Sequence, residues 1–111
     1  MPIVVQYTTN VDVDTYDEVV ADIEFHDDPP DGLLIHTAAI SEDGRMRIFD
    51  VWRTQAAYEN FDRMRLRPAL ARLLGDNFED HADFEVHELH SLVSPSSLAR
   101  AGRRRIRSKF S

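Results

Sequence analysis

The chain has 111 residues, no cysteine and a formal net charge of −7. A chain of this length builds one modest hydrophobic core, and the lack of cysteine excludes disulfides, thiolate metal sites and a cysteine nucleophile. The longest apolar runs span only a few residues, and the N-terminus enters a strand pattern instead of a charged and then apolar leader, so we expect a cytoplasmic protein.

The charges are divided unevenly along the chain. All 20 Asp and Glu lie between Asp12 and Glu88, and the segment that holds them carries 7 basic residues, so its charge is −13. The segment after Pro95 carries six basic residues and little that a core could bury. We therefore predict one domain over residues 1–93 and a basic, disordered tail over 94–111. The acidic body disfavours nucleic acid and membrane partners, so only the tail could meet a polyanion, and a solubilising tail is the simpler interpretation.

The first half of the chain predicts a strand, a helix and a turn. Residues 3–8 alternate as a strand does, and the turn-prone pair Thr9 and Asn10 ends it. Asp14 or Thr15 is a suitable N-cap for a helix over residues 14–25, whose apolar stripe includes Tyr16 and recurs at i, i+3, i+4 and i+7. The segment HDDPPDG cannot continue this helix, because proline lacks an amide hydrogen and restricts the residue before it.

The second half predicts a hairpin, a second helix and a last strand. Strand two covers residues 33–40, a turn at SEDG follows, and strand three covers 46–53. Helix two starts with Thr54 as its N-cap, is interrupted or kinked by Pro68 and ends at Gly75. Its buried face is predicted to carry Ala57, Tyr58, Phe61 and Met64. The last strand covers residues 83–92. The order β-α-β-β-α-β predicts a ferredoxin-like α+β fold, with a four-stranded antiparallel sheet and both helices on one face.

Strand alternation assigns side chains to the two faces of this sheet. The face toward the helices is predicted to carry Ile3, Val5, Tyr7, Phe49, Val51, Phe84 and Val86, and the outer face Gln6, Thr8, Asp50, Trp52, Glu85 and His87. Strand two is apolar in both registers; we assign Leu33, Ile35 and Ala39 inward and His36, Ala38 and Ile40 outward. Such a mixed outer face suits a partly buried pocket or a dimer interface better than bulk water.

The strand pattern, the chain length and the segment VWRTQAAYENF, in which helix two follows a sheet-end aromatic, resemble the dimeric α+β barrel superfamily. This group includes the antibiotic-biosynthesis-monooxygenase-like domains and many small uncharacterised members. The resemblance covers residues 2–93 and implies a homodimer whose sheets meet face to face, with a cavity between sheet and helices in each subunit. The activity it implies is that of a cofactor-independent monooxygenase-like enzyme acting on a small planar or enolisable substrate. The alternative is a non-catalytic homodimer that binds a small ligand or another protein.

Haem-degrading members of the superfamily offer a comparison by residue. Those enzymes carry a Trp in the helix after the third strand and a haem-ligating His about three turns later, positions that look like Phe61 and Ala71 here. Without an axial imidazole, haem iron has no protein ligand at that site. We therefore set haem degradation aside and expect no cofactor.

His36 and Asp50 are the candidate catalytic pair. On adjacent antiparallel strands facing the same way, the carboxylate would orient the imidazole as a general base for a phenol or a carbon acid. Same-face pairing requires a hairpin loop with an odd number of residues, and the segment SEDGR permits both parities. The alternative is a histidine that is satisfied by a cross-strand hydrogen bond at the dimer interface.

Gln6, Trp52 and His87 are the candidate substrate contacts on the same predicted face. Trp52 would stack on a planar substrate or fill the core of the dimer. His87 and His90 could suggest a metal site, but on a regular strand they point to opposite faces. We therefore expect no metal.

Overall fold

The computed structural model describes residues 1–76, 78–79 and 81–93. Its elements follow the predicted order: β1 (Ile3–Thr9), α1 (Val13–Asp22), β2 (Leu33–Ile40), β3 (Met46–Trp52), α2 (Gln55–Phe61), a π-helical turn (Asp62–Leu66), α3 (Arg67–Leu74) and β4 (His81–Glu88). The predicted ferredoxin-like α+β fold is confirmed. The predicted basic tail, 94–111, lies outside the described residues. In the described part of the chain, no helix is long and apolar enough to cross a membrane.

The four strands form one antiparallel sheet in the order β2-β3-β1-β4. The core lies between this sheet and the helices. It is built from buried side chains of every layer: Ile3, Val5, Val19, Ile23, Phe25, Trp52, Tyr58, Phe61, Leu66, Ala69 and Leu70. Burial of these apolar side chains is the main force that holds the helices against one face of the sheet.

Helix α1 is capped at both ends by local hydrogen bonds. At its start, Asp12 accepts a hydrogen bond from the amide of Thr15 at 2.8 Å, so the predicted cap at residue 14 or 15 is wrong. The carboxylate of Asp12 thus satisfies an amide of the first turn that has no partner within the helix, which is the role of an N-cap oxygen. At its end, the amides of Phe25 and Glu24 bond back to carbonyls of the last turn, which is the Schellman pattern. Glu24 takes the left-handed position of that motif, with φ 53°, where glycine is usual.

The second helical segment contains the interruption predicted at Pro68, in the form of a π-helical turn. The amide of Arg67 bonds to the carbonyl of Asp62, five residues back instead of four. A wider turn just before Pro68 relieves the clash that its ring would make in a regular helix and tolerates its missing amide hydrogen. The extra residue also shifts the buried positions of the helix along the sequence. Leu66 is therefore buried, whereas Met64, predicted to be buried, is 62% exposed.

Helix two otherwise starts and ends at the predicted residues. The side chain of Thr54 accepts from the amide of Ala57 at 3.0 Å, so it is the N-cap. Gly75 ends α3 with φ 100°, a conformation that side chains disfavour.

The face assignment of β3 is the main correction to the sequence prediction. In the β1–β3 register Val5 lies opposite Asp50, and Ile3 lies opposite Trp52. Since opposed residues of an antiparallel pair share a face, Asp50 and Trp52 point toward the helices, and Phe49 and Val51 point away from them. The prediction failed because both registers of this strand are apolar, and the charge of Asp50 suggested an outward position.

A β-bulge in β2 accounts for the second correction. Leu33 pairs with Trp52 while Ile35 pairs with the neighbouring Val51, so Leu34 is an extra residue in the strand. Leu33 keeps its predicted inward position. The bulge then reverses the later assignments: His36 and Ala38 face the helices, and Ile35 and Ala39 lie on the outer face.

Candidate active site

His36 and Asp50 form a hydrogen-bonded pair under the helices. Their positions are opposite one another in the β2–β3 register, and His36 Nδ1 lies 2.6 Å from Asp50 Oδ1. The hairpin loop between Ile40 and Met46 contains five residues, the odd number that same-face pairing requires. The predicted pairing is thus present, but on the helix-facing side of the sheet and not on the outer face.

Asp50 is a buried carboxylate with two donors. Its residue is 4% exposed, and its second oxygen lies 3.4 Å from the indole Nε1 of Trp52. Trp52 is fully buried in the core, where its ring packs against Tyr58 and Phe61. The indole therefore supports the carboxylate from the core side and does not stand at the sheet end as a stacking surface for a ligand.

Tyr16 completes the site, and the sequence analysis did not assign it a function. Its hydroxyl lies 2.6 Å from His36 Nε2, and the two rings are nearly parallel, at an interplanar angle of 8°. Burial, followed by the negative charges of Asp50 and Asp17, raises the pKa of Tyr16 to about 12. One signal was available in the sequence: a tyrosine on a buried helical stripe carries a hydroxyl that needs a polar partner.

The proton positions of this chain follow from what each group can donate. A carboxylate only accepts, so His36 Nδ1 carries the hydrogen of the bond to Asp50. In a neutral imidazole the other nitrogen is an acceptor, and the hydroxyl of Tyr16 donates to it. The three side chains thus form one chain of hydrogen bonds that runs from a buried charge to a half-buried hydroxyl.

These three side chains line a cavity between the sheet and the helices. It has a volume of about 50 Å³, is partly open to solvent, and has mainly apolar walls that include Val20, Phe25, Ile48, Phe61, Leu66 and Leu70. Phe25 packs against the imidazole of His36 in a T-shaped arrangement, with ring centroids 4.6 Å apart. The Schellman motif that ends α1 therefore also sets one wall of the site.

Two of the predicted substrate contacts lie elsewhere. Gln6 and His87 are on the outer face of the sheet, as expected for their strands, whereas the cavity is on the other side. His87 Nε2 lies 2.7 Å from Glu85 Oε1, and its hydrogen bond lowers the pKa of that exposed carboxyl. The structure thus brings His36, Asp50 and Trp52 together and separates Gln6 and His87 from them. Among the described residues, no group of three or more potential ligands is placed to hold a metal ion.

Comparison with known proteins adds evidence on the fold. No family model matches the chain, and no curated protein matches it in sequence. Among solved structures, the chain is similar to SnoaB, a cofactor-independent oxygenase from Streptomyces nogalater, with a TM-score of 0.54 and 13% identity over 85% of this chain and 96% of that one. The chain shares the fold of this oxygenase. A candidate antibiotic biosynthesis monooxygenase from Bacteroides thetaiotaomicron is also similar, with a TM-score of 0.51 and 16% identity over 83% of this chain and 90% of that one. At such identities the likeness is one of fold, and the activity has to be argued from the site.

Proposed function

We propose that the protein is a cofactor-independent monooxygenase-like enzyme that acts on a small, planar, enolisable substrate. The observation that carries this proposal is the hydrogen-bonded chain Asp50–His36–Tyr16 at the wall of an apolar cavity. A chain in which a carboxylate orients an imidazole is suited to accept a proton. A fold shared with a cofactor-independent oxygenase supports the proposal at the level of architecture.

The first step of this chemistry is the removal of a proton, which requires a base. Removal of a proton from a CH2 group that is next to a carbonyl, or conjugated with one through an aromatic ring, leaves an electron-rich enolate, and this enolate supplies the electrons that reduce oxygen. Addition of O2 at that carbon and return of the proton give a hydroperoxide, which loses water and leaves a new carbonyl. One CH2 group and one O2 thus yield one C=O group and one water. His36 would hold the proton, and Asp50 would stabilise the imidazolium that forms.

The charges at the cavity restrict the substrate. Among the described residues that line it, none is Lys or Arg, and Asp50 is the one acidic side chain. A buried negative charge without a nearby cation repels carboxylates and phosphates. The substrate we propose is therefore an uncharged aromatic ketone with such a CH2 group.

The outer face of the sheet supports a homodimer. Phe49 lies on this face and is 43% exposed, next to half-buried Gln6 and Ile35. A second copy that covers this face would remove the exposed apolar surface from water. If the protein is a non-catalytic binding dimer, this interface is its functional surface; the cavity beside His36 favours the enzyme.

Oxygen uptake tests the enzyme directly. We expect the purified protein to accelerate oxygen consumption with 2-indanone or anthrone, with one new carbonyl formed in the product for each O2 consumed. His36→Gln should lower the rate by about 100-fold or more, the usual contribution of a general base. The exposed His90→Gln, on the segment after β4, is the matched control and should leave the rate unchanged. No acceleration with either ketone, together with a stable dimer in light scattering, would favour the binding dimer instead.

A further inference from the structure

Neither ring nitrogen of His36 is free to touch a substrate. Nδ1 is bonded to Asp50 and Nε2 to Tyr16, both at 2.6 Å. Phe25 packs against the ring in a T-shaped arrangement, and the histidine side chain is only 16% exposed. A substrate that reached Nε2 directly would have to displace the hydroxyl of Tyr16 from its hydrogen bond.

The hydroxyl of Tyr16 is the end of the hydrogen-bonded chain that a molecule in the cavity can contact. Tyr16 lines the cavity and is half-buried, whereas Asp50 lies at the buried end of the same chain. A phenol oxygen donates one hydrogen bond and has lone pairs that accept others. While it donates to His36, it can therefore accept a hydrogen from a molecule in the cavity.

We infer that Tyr16 is the catalytic residue that contacts the substrate and relays its proton to His36. This inference rests on the proposed function and assigns its first step, the removal of the substrate proton, to the oxygen of Tyr16 instead of to His36. As the substrate C–H bond breaks, its proton passes to the oxygen of Tyr16, and the hydrogen already on that oxygen passes to His36 Nε2. The products are an enolate, a neutral Tyr16 and an imidazolium held by Asp50, so the charge and the protons balance.

The electrostatics of the site agree with a proton relay through a neutral Tyr16 and disagree with a Tyr16 that is deprotonated before the substrate binds. Burial and the charge of Asp50 raise the pKa of Tyr16, so the hydroxyl keeps a proton at neutral pH. A tyrosine that must stay neutral can transfer a proton only if it receives one in the same event. The 2.6 Å separation from His36 Nε2 suits such a transfer.

Deuterium exchange without oxygen isolates this step. Under nitrogen in D2O, we expect the wild-type protein to accelerate exchange of the CH2 hydrogens of 2-indanone, as followed by proton NMR. Tyr16→Phe and His36→Gln should each lower the exchange rate by about 100-fold. The double variant should be no slower than the slower single variant, because the two residues act in series. Tyr58→Phe, a buried tyrosine that does not line the cavity, should exchange at the wild-type rate.

Each result has a distinct meaning. If Tyr16→Phe is folded by circular dichroism and exchanges as fast as the wild type, His36 is the direct base and the relay is wrong. Losses that multiply in the double variant would also refute it. Exchange without oxygen uptake would overturn the oxygenase proposal and leave the relay standing. No exchange by the wild type would overturn both.

Discussion

Replacement of Asp50 by alanine should destabilise the fold more than an ordinary surface change. The variant leaves the Nδ1–H of His36 and the Nε1–H of Trp52 without their acceptor in the core. A hydrogen bond to a charged group is worth about 1.5–3 kcal/mol, and a buried donor left without a partner costs about 1–3 kcal/mol. Relief of the buried charge offsets part of this loss. We expect a net loss of about 2–4 kcal/mol in the free energy of unfolding, which at roughly 5 °C per kcal/mol lowers Tm by about 10–20 °C.

Urea unfolding measures this loss, with Trp52 as the reporter. It is the single tryptophan of the chain, so its fluorescence reports on the site without interference from other indoles. Asp50→Asn should cost less than Asp50→Ala, because an amide oxygen can still accept from His36. Asp43→Ala removes an exposed carboxylate of the same hairpin and is the control, with an expected change below about 1 kcal/mol. If Asp50→Ala unfolds within about 0.5 kcal/mol of the wild type, the pair contributes no stability and our account of the site is wrong.

Three further predictions concern the backbone and the response to pH. Glu24→Gly should raise the free energy of unfolding by about 1 kcal/mol, since glycine adopts φ 53° without strain; an unchanged urea midpoint would contradict this. Gly32→Ala should cost about 1–3 kcal/mol more than Gly44→Ala, because both positions have positive φ but only the first new methyl group would meet Ala57, at 2.5 Å; equal losses in thermal unfolding would refute the steric argument. Because the folded-state pKa of Tyr16 is raised from 10.0 to about 12, its contribution to stability is present below pH 10 and is lost as the pH rises to 12. Between pH 10 and 12 the free energy of unfolding of the wild type should therefore fall by about 1–2 kcal/mol more than that of Tyr16→Phe, allowing for partial exposure. If urea unfolding shows the same loss in both proteins, the effect is excluded.

The sequence predicted the order of elements because its local signals agree with one another. The cap at Thr54 and the stop at Gly75 were assigned from residue type alone, and the structure has both. Such signals act over a few residues and need no knowledge of tertiary contacts. The pattern of strands and helices that they delimit was enough to predict the ferredoxin-like fold.

The side of the sheet on which the site lies could not be predicted in the same way. In β3, Ile48 and Trp52 occupy one register and Phe49 and Val51 the other, so alternation alone does not choose between them. The choice was made by assigning the charge of Asp50 to the outer face. That charge is tolerated inside because His36 donates to it, a contact that depends on two strands and a bulge. Tyr16 was missed for the same reason, since its partner is distant in sequence.

The π-helical turn before Pro68 holds one residue more than a regular helical turn. Removing one residue there would let the segment close as a regular helix without turning the residues after it, because the turn itself contains the extra residue. Adding one residue would instead turn everything after it by about 100° around the axis, so Leu66 and Leu70, which line the cavity beside the site, would swing away from the sheet. An insertion of one residue in this stretch should therefore be far less tolerated than a deletion there or an insertion in the hairpin loop at Gly44, although each change involves a single residue.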